Sequence, residues 1–436
     1  SRTAEMFFAD FPFVYDIDLI RSNPDAAQGP PTKPAGSLCD RYRVGKRIAE
    51  INTNLQSLGR VCDRNLRERI MPEFIESVRH ARNRDITRLS PDELIETWKR
   101  REAHVLDGFA PDAFLPSLIC AMAIEQLRTF LHEHFWQENP TELVNLLTVA
   151  AEPDSTVRAN QGLFEIAAGK MSVEQWIEQY GHRAAQEYDL ASPRWRECPE
   201  TVRSMAARLG QGPSPFEMHA RRLEQADEHI RTLRRRLPHR HRATFDERIS
   251  LVRRYLPFRE DAKNVLMMGY ELLRSTAIEA GRRLGIGDTV FHLSLDEMQQ
   301  ALLTQSIREE LLIERRALHD MQKRLYVPDI ITQESVASLG EAPALTSERR
   351  LSAFGLSAGT CKGPVRVLLS PEEAGQTDSP YVLVCPSTDP AWTPLFMGAS
   401  GLVMECGGTL SHGAVVAREI GIPAVVLPDA TSVLRD

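Results

Sequence analysis

The sequence predicts a multidomain protein, with a large all-α domain followed by a small α/β domain. Three observations predict it. From about residue 40 to 325 apolar residues recur at helical spacing with few candidate strands; residues 327–347 lose that periodicity; and from residue 348 short apolar runs are bounded by Gly, Pro, Ser and Asp, the pattern of buried strands. A length of 436 residues suggests two to four domains, each able to bury its own core. The boundaries read as a helical domain over 1–326, a linker over 327–347 and an α/β domain over 348–436.

The helical assignment rests on local chemistry as well as on period. Ser90-Pro91-Asp92-Glu93, Ser172-Val173-Glu174-Gln175, Ser214-Pro215-Phe216-Glu217 and Ser294-Leu295-Asp296-Glu297 each place an acid or amide three residues after a serine. In such a box the hydroxyl accepts from a free backbone N–H while the longer side chain reaches back to the serine N–H. Helices are predicted over 40–84, 91–106, 112–136, 140–150, 155–168, 173–180, 199–208, 214–237, 242–284 with a break at Pro257, and 304–325. Within the 242–284 helix, Ala262, Val265, Leu266, Leu272, Leu273, Ala277 and Ile278 form the core-facing stripe. The 327–347 linker is rich in Pro, Gly, Ser and Ala, and averages roughly 25 Å end to end as a coil, enough to let a domain move. After it come strands at 365–369, 381–385, 401–404 and 424–427, with two-turn helices over 393–399 and 413–420.

Composition bounds the function. A charged fraction of 26% and a net charge of −7 give no general attraction to nucleic acid or to an anionic membrane. The basic run Arg234–Arg242 fits a solvated helix C-terminus, which favours cations. Seven widely spaced cysteines without a CxxC pair argue against a disulfide or zinc framework. His132-Glu133-His134 lacks the spacing that sets two ligands on one helical face, so no metal site is assigned. With no signal-peptide layout and no apolar run approaching the roughly 18 residues of a span, the expected location is cytoplasmic.

One stretch carries chemistry: Gly407-Gly408-Thr409-Leu410-Ser411-His412-Gly413-Ala414, at the mouth of a short helix closed by Gly421-Ile422-Pro423. A neutral imidazole is nucleophilic near pH 7 and can take up a phosphoryl group through a reactive N–P bond. The phosphoryl oxygens need donors and room. Helix N-terminal N–H groups, the Thr409 and Ser411 hydroxyls, and the glycines Gly408 and Gly413 suit that need. The competing reading is a buried histidine that caps a helix.

The twenty residues Gly407–Val426 resemble the phosphohistidine signature of the phosphoenolpyruvate-utilising enzyme family, which includes pyruvate phosphate dikinase, phosphoenolpyruvate synthase, Enzyme I of the sugar phosphotransferase system and rifampicin phosphotransferase. The resemblance implies that residues 348–436 form a β/β/α swivelling domain, whose histidine carries phosphoryl groups between two distant sites. Leu410 and Gly413 stand where the pyruvate-linked members usually have Thr and then Ala or Thr; they resemble rifampicin phosphotransferase instead, as does Asp389-Pro390-Ala391-Trp392-Thr393-Pro394-Leu395-Phe396.

Arg259-Glu260-Asp261-Ala262-Lys263 likewise resembles the Arg-Glu-x-x-Lys motif of that subfamily's middle domain. Arg259 and Lys263, four apart on a helix, could clamp a transferring phosphoryl group while Glu260 orients or deprotonates an acceptor hydroxyl; on spacing alone they could equally be a solvated charge row. A weaker resemblance covers Arg183, Glu187, Asp189 and Arg194, for which a structural ion-pair network is the commoner explanation of such charge density.

The resemblance implies ATP and Mg as cofactors, bound on an ATP-grasp domain or subunit as partner, and a small-molecule hydroxyl acceptor. No Walker loop or other glycine-rich phosphate cradle precedes residue 400, and relatives continue past the equivalent of Asp436; the expectation is therefore a fragment of a longer enzyme, inactive without an ATP-grasp portion. The expected function is an ATP-dependent dikinase-type phosphotransferase that carries phosphoryl on His412, resembling enzymes of antibiotic inactivation. The alternatives are a phosphoenolpyruvate synthase or phenylphosphate synthase-like subunit, and a non-catalytic helical binding protein with a degenerate carrier domain.

Overall fold

The computed structural model describes residues 53–209, 214–322, 351–374 and 380–435. The predicted linker over 327–347 and the start of the predicted 40–84 helix lie outside these. The helical part runs as α1 (53–82), α2 (Pro91–His134), α3 (Pro140–Leu147), α4 (Ser155–Ala167), α5 (Val173–Tyr180), α6 (Pro199–Leu209), α7 (Pro215–Arg236), α8 (His239–Leu284), α9 (Leu295–Thr304) and α10 (Glu309–Gln322).

Two predicted interruptions are absent, each for a readable reason. The gap expected between residues 106 and 112 is a π-turn, Ala103–Phe109, whose end lets the Ala110 N–H reach the Val105 carbonyl; the wider turn accommodates Pro111 inside one continuous helix. The break expected at Pro257 does not occur in the 46-residue α8. Proline cannot donate to the carbonyl four residues back, and here the Arg253 carbonyl accepts from the Ala151 N–H instead, at 3.3 Å. Conversely, the helix expected from residue 304 begins only at Glu309, because the preceding α9 ends at Gln305, whose φ of 51° is left-handed. The boxes at Ser90, Ser172 and Ser294 form as predicted. Ser214 makes no cap; its hydroxyl donates to Gln161 Oε1 at 2.9 Å.

Helix α8 is the spine, packed along α2 over most of its length. Two apolar clusters share it: one gathers Val252, Leu256 and Phe258 with Leu115, Ile119 and Leu127, the other Ala262, Val265 and Leu266 with Trp98, Val105 and Phe109. Of the predicted stripe all but the half-buried Ile278 are buried. The turn Arg259-Glu260 falls in the polar gap between the clusters. Contrary to the sequence expectation, one helix, α2, is long and apolar enough to cross a membrane by length and composition; half of its most apolar window is buried within the protein.

The C-terminal unit is a five-stranded mixed sheet, β1 (Phe354–Ser357), β2 (Val365–Val367), β3 (Tyr381–Cys385), β4 (Ala399–Met404) and β5 (Ala424–Val426), in the order β1-β5-β4-β3-β2. β1, which the sequence pattern did not suggest, pairs antiparallel with β5; the remaining neighbours are parallel. Among the described residues this is a single sheet, without the second β layer of a β/β/α unit. The crossovers from β3 to β4 and from β4 to β5 carry α11 (Thr393–Phe396) and α12 (His412–Ile420), and a short helix α13 (Ala430–Val433) follows β5. Ligand sites in open parallel sheets form beyond the carboxyl ends of the strands. Both the loop after β3 and the loop leading to His412 lie at that edge.

Candidate active site at the domain junction

Helix α12 presents two faces. Ala414 and Ala417 pack into the sheet's own core, whereas Val415 belongs to an apolar cluster of the helical domain, with Leu410 packed against it. His412 and Val415, spaced at three, therefore look toward the helical domain. Ser411 caps the helix through its Oγ, which accepts from the Ala414 N–H at 3.4 Å. His412 is the first helical residue, only 9% exposed, and its Nε2 lies 3.1 Å from Thr393 Oγ1.

The residues expected to cradle phosphate lie beside the cavity rather than in its wall. A Cβ on Gly413 would lie 2.4 Å from both Met404 Sδ and Thr388 Oγ1, so this glycine permits close packing. The Thr409 carbonyl accepts from Arg418 at 2.5 Å, and Gly408 is exposed. Gly408, Thr409, Ser411 and Gly413 do not line the cavity at His412.

That cavity, about 240 Å³, is walled by Arg259, Glu260, Lys263, Leu266, Tyr188, Phe114 and Ser117 from the helical domain and by Thr388, Leu410 and His412 from the α/β unit. Arg259 joins the two: one terminal nitrogen donates to Glu260 Oε1 at 2.7 Å, the other to the Leu410 carbonyl, and Nε has no partner. Lys263 Nζ is 2.7 Å from Glu187 Oε2 and 5.5 Å from the Tyr188 ring centroid. Behind them Arg183 and Glu187 form a bidentate pair with both side chains at most 1% exposed. Arg183 and Glu260 each also reach the Thr156 hydroxyl, at 3.2 and 3.4 Å. Arg194 is fully buried and donates to the Glu187 and Asp189 carbonyls. Asp189 is exposed, accepts from the Ala191 N–H in a turn, and stands outside the cavity. The charge row on α8 is thus not a solvated face, and the Arg183 segment is the ion-pair support beneath it.

Burial pushes the His412 imidazole down to about 3, against the pull of Glu260, so it stays neutral and nucleophilic through the physiological range. Burial would raise Glu260, but Arg259 and Lys263 outweigh it and hold the carboxyl well below its usual range. Burial would likewise depress Lys263, and Glu187 and Glu260 overcome this and raise it. Asp154, the N-cap of α4, is raised by burial and by Glu260. Arg183, Arg259 and Lys263 against Glu187 and Glu260 leave one positive charge uncompensated. Such a donor set suits an anion. Among the described residues no group of three or more His, Cys, Asp or Glu could hold a metal ion.

Sequence reasoning did not single out Phe114, Ser117, Thr156 or Tyr188. They come from helices and loops more than 70 residues before Arg259, and apart from Tyr188, which lies between Glu187 and Asp189, nothing local marks them. Thr388 and Thr393 did carry a signal, since both lie in or beside the Asp389–Phe396 run.

A buried, neutral histidine set against a cationic wall suits the handling of an anionic group. Residues 377–436 match the mobile domain of PEP-utilising enzymes, and residues 159–260 match the fourth domain of rifampicin phosphotransferase. In these two segments the chain is similar to the phosphoenolpyruvate-utilising enzyme family. Over a longer stretch it is similar to the rifampicin phosphotransferases of Streptomyces sviceus (30% identity over 287 residues, 61% of this chain and 32% of the relative) and Bacillus subtilis (26% over 281 residues, 61% and 32%). It is also similar to the uncharacterized phosphotransferase YvkC of Bacillus subtilis, at 26% identity over 327 residues, 69% of this chain and 38% of the relative. The chain spans about a third of the length of the rifampicin phosphotransferases it matches.

Proposed function

We propose that this chain forms the acceptor side of an ATP-dependent, dikinase-type phosphotransferase, in which His412 delivers a phosphoryl group to a hydroxyl of a small molecule. The observation that carries the reading is a neutral imidazole facing a cavity whose opposite wall holds Arg259 and Lys263.

In this reading ATP and Mg bind an ATP-grasp portion or subunit. An imidazole nitrogen attacks the β-phosphorus; an N–P bond forms and the bond to the AMP oxygen breaks. Water then removes the γ-phosphoryl group as inorganic phosphate and leaves phosphohistidine. The domain carries it to the cavity, where the acceptor oxygen attacks phosphorus, the N–P bond breaks, and the acceptor's proton ends on the imidazole. ATP, water and ROH give AMP, inorganic phosphate and the phosphate ester.

On the acceptor side the work is electrostatic. Lys263 and the unpartnered Arg259 Nε offer donors to the phosphoryl oxygens as charge spreads over them. A carboxyl held as low as Glu260 is a weak base, so its part is to orient the acceptor hydroxyl rather than to keep its proton. Phe114 and Tyr188, each about half exposed at the cavity, suit an acceptor with an apolar body. At about 240 Å³ the docked cavity is smaller than the roughly 300–1,000 Å³ that encloses a drug-sized ligand, so a rifamycin-like acceptor would place only its reacting part inside.

The test is to incubate the full-length enzyme with ATP and follow His412 by mass spectrometry. Acid-labile phosphate on His412, with AMP released, is expected. ATP turnover without label on His412 overturns the reading.

A further inference from the structure

The face of α12 that carries His412 has a second polar residue seven positions on, Glu419. Seven residues are close to two helical turns, so the two side chains share a face about 10 Å apart, with Val415 between them. Glu419 is 3% exposed, and both of its oxygens are engaged by the helical domain: Oε2 by Nδ1 of His219 on α7, and Oε1 by the Ala150 N–H at 3.3 Å. His219 is itself 4% exposed, and its Nε2 is buried without a partner, so among the described residues its side chain's one polar contact is with the α/β unit. Beside it Arg222 Nε donates to the Arg418 carbonyl at 2.8 Å, and its Cδ would lie 3.1 Å from a Cβ on Gly421. At the other end of the face the contact is Arg259 with the Leu410 carbonyl.

We infer that His219 and Glu419 are positioning residues, a second anchor that fixes the angle of α12 on the helical domain and so aims His412 into the Arg259–Lys263 cavity. Together with Arg222 on the Arg418 carbonyl, the pair holds the far end of the helix as Arg259 holds its start at Leu410, with Val415 seated between. The pair touches neither phosphoryl group nor acceptor. It acts only when the α/β unit is docked on the acceptor side, and each departure of the carrier must break it. The inference rests on the carrier reading given above.

Acylation of histidines by diethyl pyrocarbonate, read by mass spectrometry on the full-length enzyme, reports how far His412 is covered, with the exposed His80 and His229 as internal references. His219→Leu removes the donor and keeps an apolar side chain; His219→Asn keeps an N–H near the position of Nδ1. The leucine variant is expected to speed labelling of His412 about tenfold, the factor a charge-assisted hydrogen bond carries, with the references unchanged and the asparagine variant near wild type. Wild-type labelling in His219→Leu overturns the inference, and so does His219→Asn labelling as fast as His219→Leu, which would make the residue a space filler. Should circular dichroism find His219→Leu unfolded, Glu419→Gln takes its place: faster labelling supports the anchor and unchanged labelling sinks it. If the labelling pattern holds but ATP never phosphorylates His412, the carrier reading fails and the anchor stands.

Discussion

The two walls of the junction are built on opposite electrostatic plans. On the helical side the charged groups of the wall hold one another: Arg183 by Glu187, Glu187 by Lys263, Glu260 by Arg259, most of them with almost no exposure. At the cavity the α/β side presents one neutral histidine with one hydroxyl for company, its buried charges Arg418 and Glu419 lying about two turns further along the helix. The difference teaches where motion is affordable. A paired, buried charge network cannot be carried through water without losing what stabilises it, whereas a neutral ring on a short helix can leave with little electrostatic penalty. In the proposed mechanism a fixed cationic wall and a movable uncharged nucleophile divide the labour.

Removing the nucleophile breaks this division most completely. His412→Ala is expected to abolish both acid-labile labelling by ATP and product formation, with the protein still folded by circular dichroism. Next, Lys263→Met or Arg259→Leu should leave histidine phosphorylation intact while slowing transfer to the acceptor by about a hundred- to thousandfold, as loss of one transition-state donor does. Single-turnover assays starting from phosphoenzyme separate the two half-reactions. Equal loss in both would mean that the cations do not belong to the acceptor side alone.

The support beneath the wall should register in stability. Glu187→Gln strands Arg183, whose side chain is fully buried, and leaves Lys263 without its partner, a change expected to cost about 3–5 kcal/mol in denaturant unfolding. The carrier wall should respond to pH instead. The docked imidazole resists protonation down to about 3, while an undocked or unfolded one binds a proton near its ordinary value of 6.5. Between those values the unfolded state binds more protons, so stability is fully present above 6.5 and is lost as pH falls through the window. Thermal unfolding of wild type against His412→Gln from pH 7 to 5 isolates this: the wild type should lose more. Parallel lines would mean that His412 is solvated.

Much of this contrast was legible before the fold. The carrier segment and the α8 triad are local patterns, and capping serines announce helices because their partners lie three residues away, as at Ser90 and Ser294. What stayed hidden depends on distant chain. Pro257 reads as a helix break until Ala151 supplies the missing donor to Arg253, and Ser214 reads as a cap until Gln161 claims its hydroxyl. Leu410 and Gly413 were visible as departures from the pyruvate-linked pattern, and the structure gives both a packing reason. Leu410 sits against the helical domain's core, and Gly413 leaves room for Met404 and Thr388.

The smallest expected effect tests how little the carrier side invests in holding its histidine. Thr393 is 2% exposed and offers His412 Nε2 one neutral hydrogen bond at 3.1 Å. Thr393→Val removes the hydroxyl at nearly constant volume and should cost about 0.5–1.5 kcal/mol, well below the loss at Glu187. Its sharper signature is in the ring: without the hydroxyl, one contact that orients the imidazole and sets its tautomer is gone, so the nitrogen-15 shifts of His412 should move toward a tautomer mixture. If Thr393→Val instead destabilises the protein as much as Glu187→Gln, the carrier wall is not lightly held, and the contrast between a fixed charged wall and a loosely retained neutral nucleophile does not describe this junction.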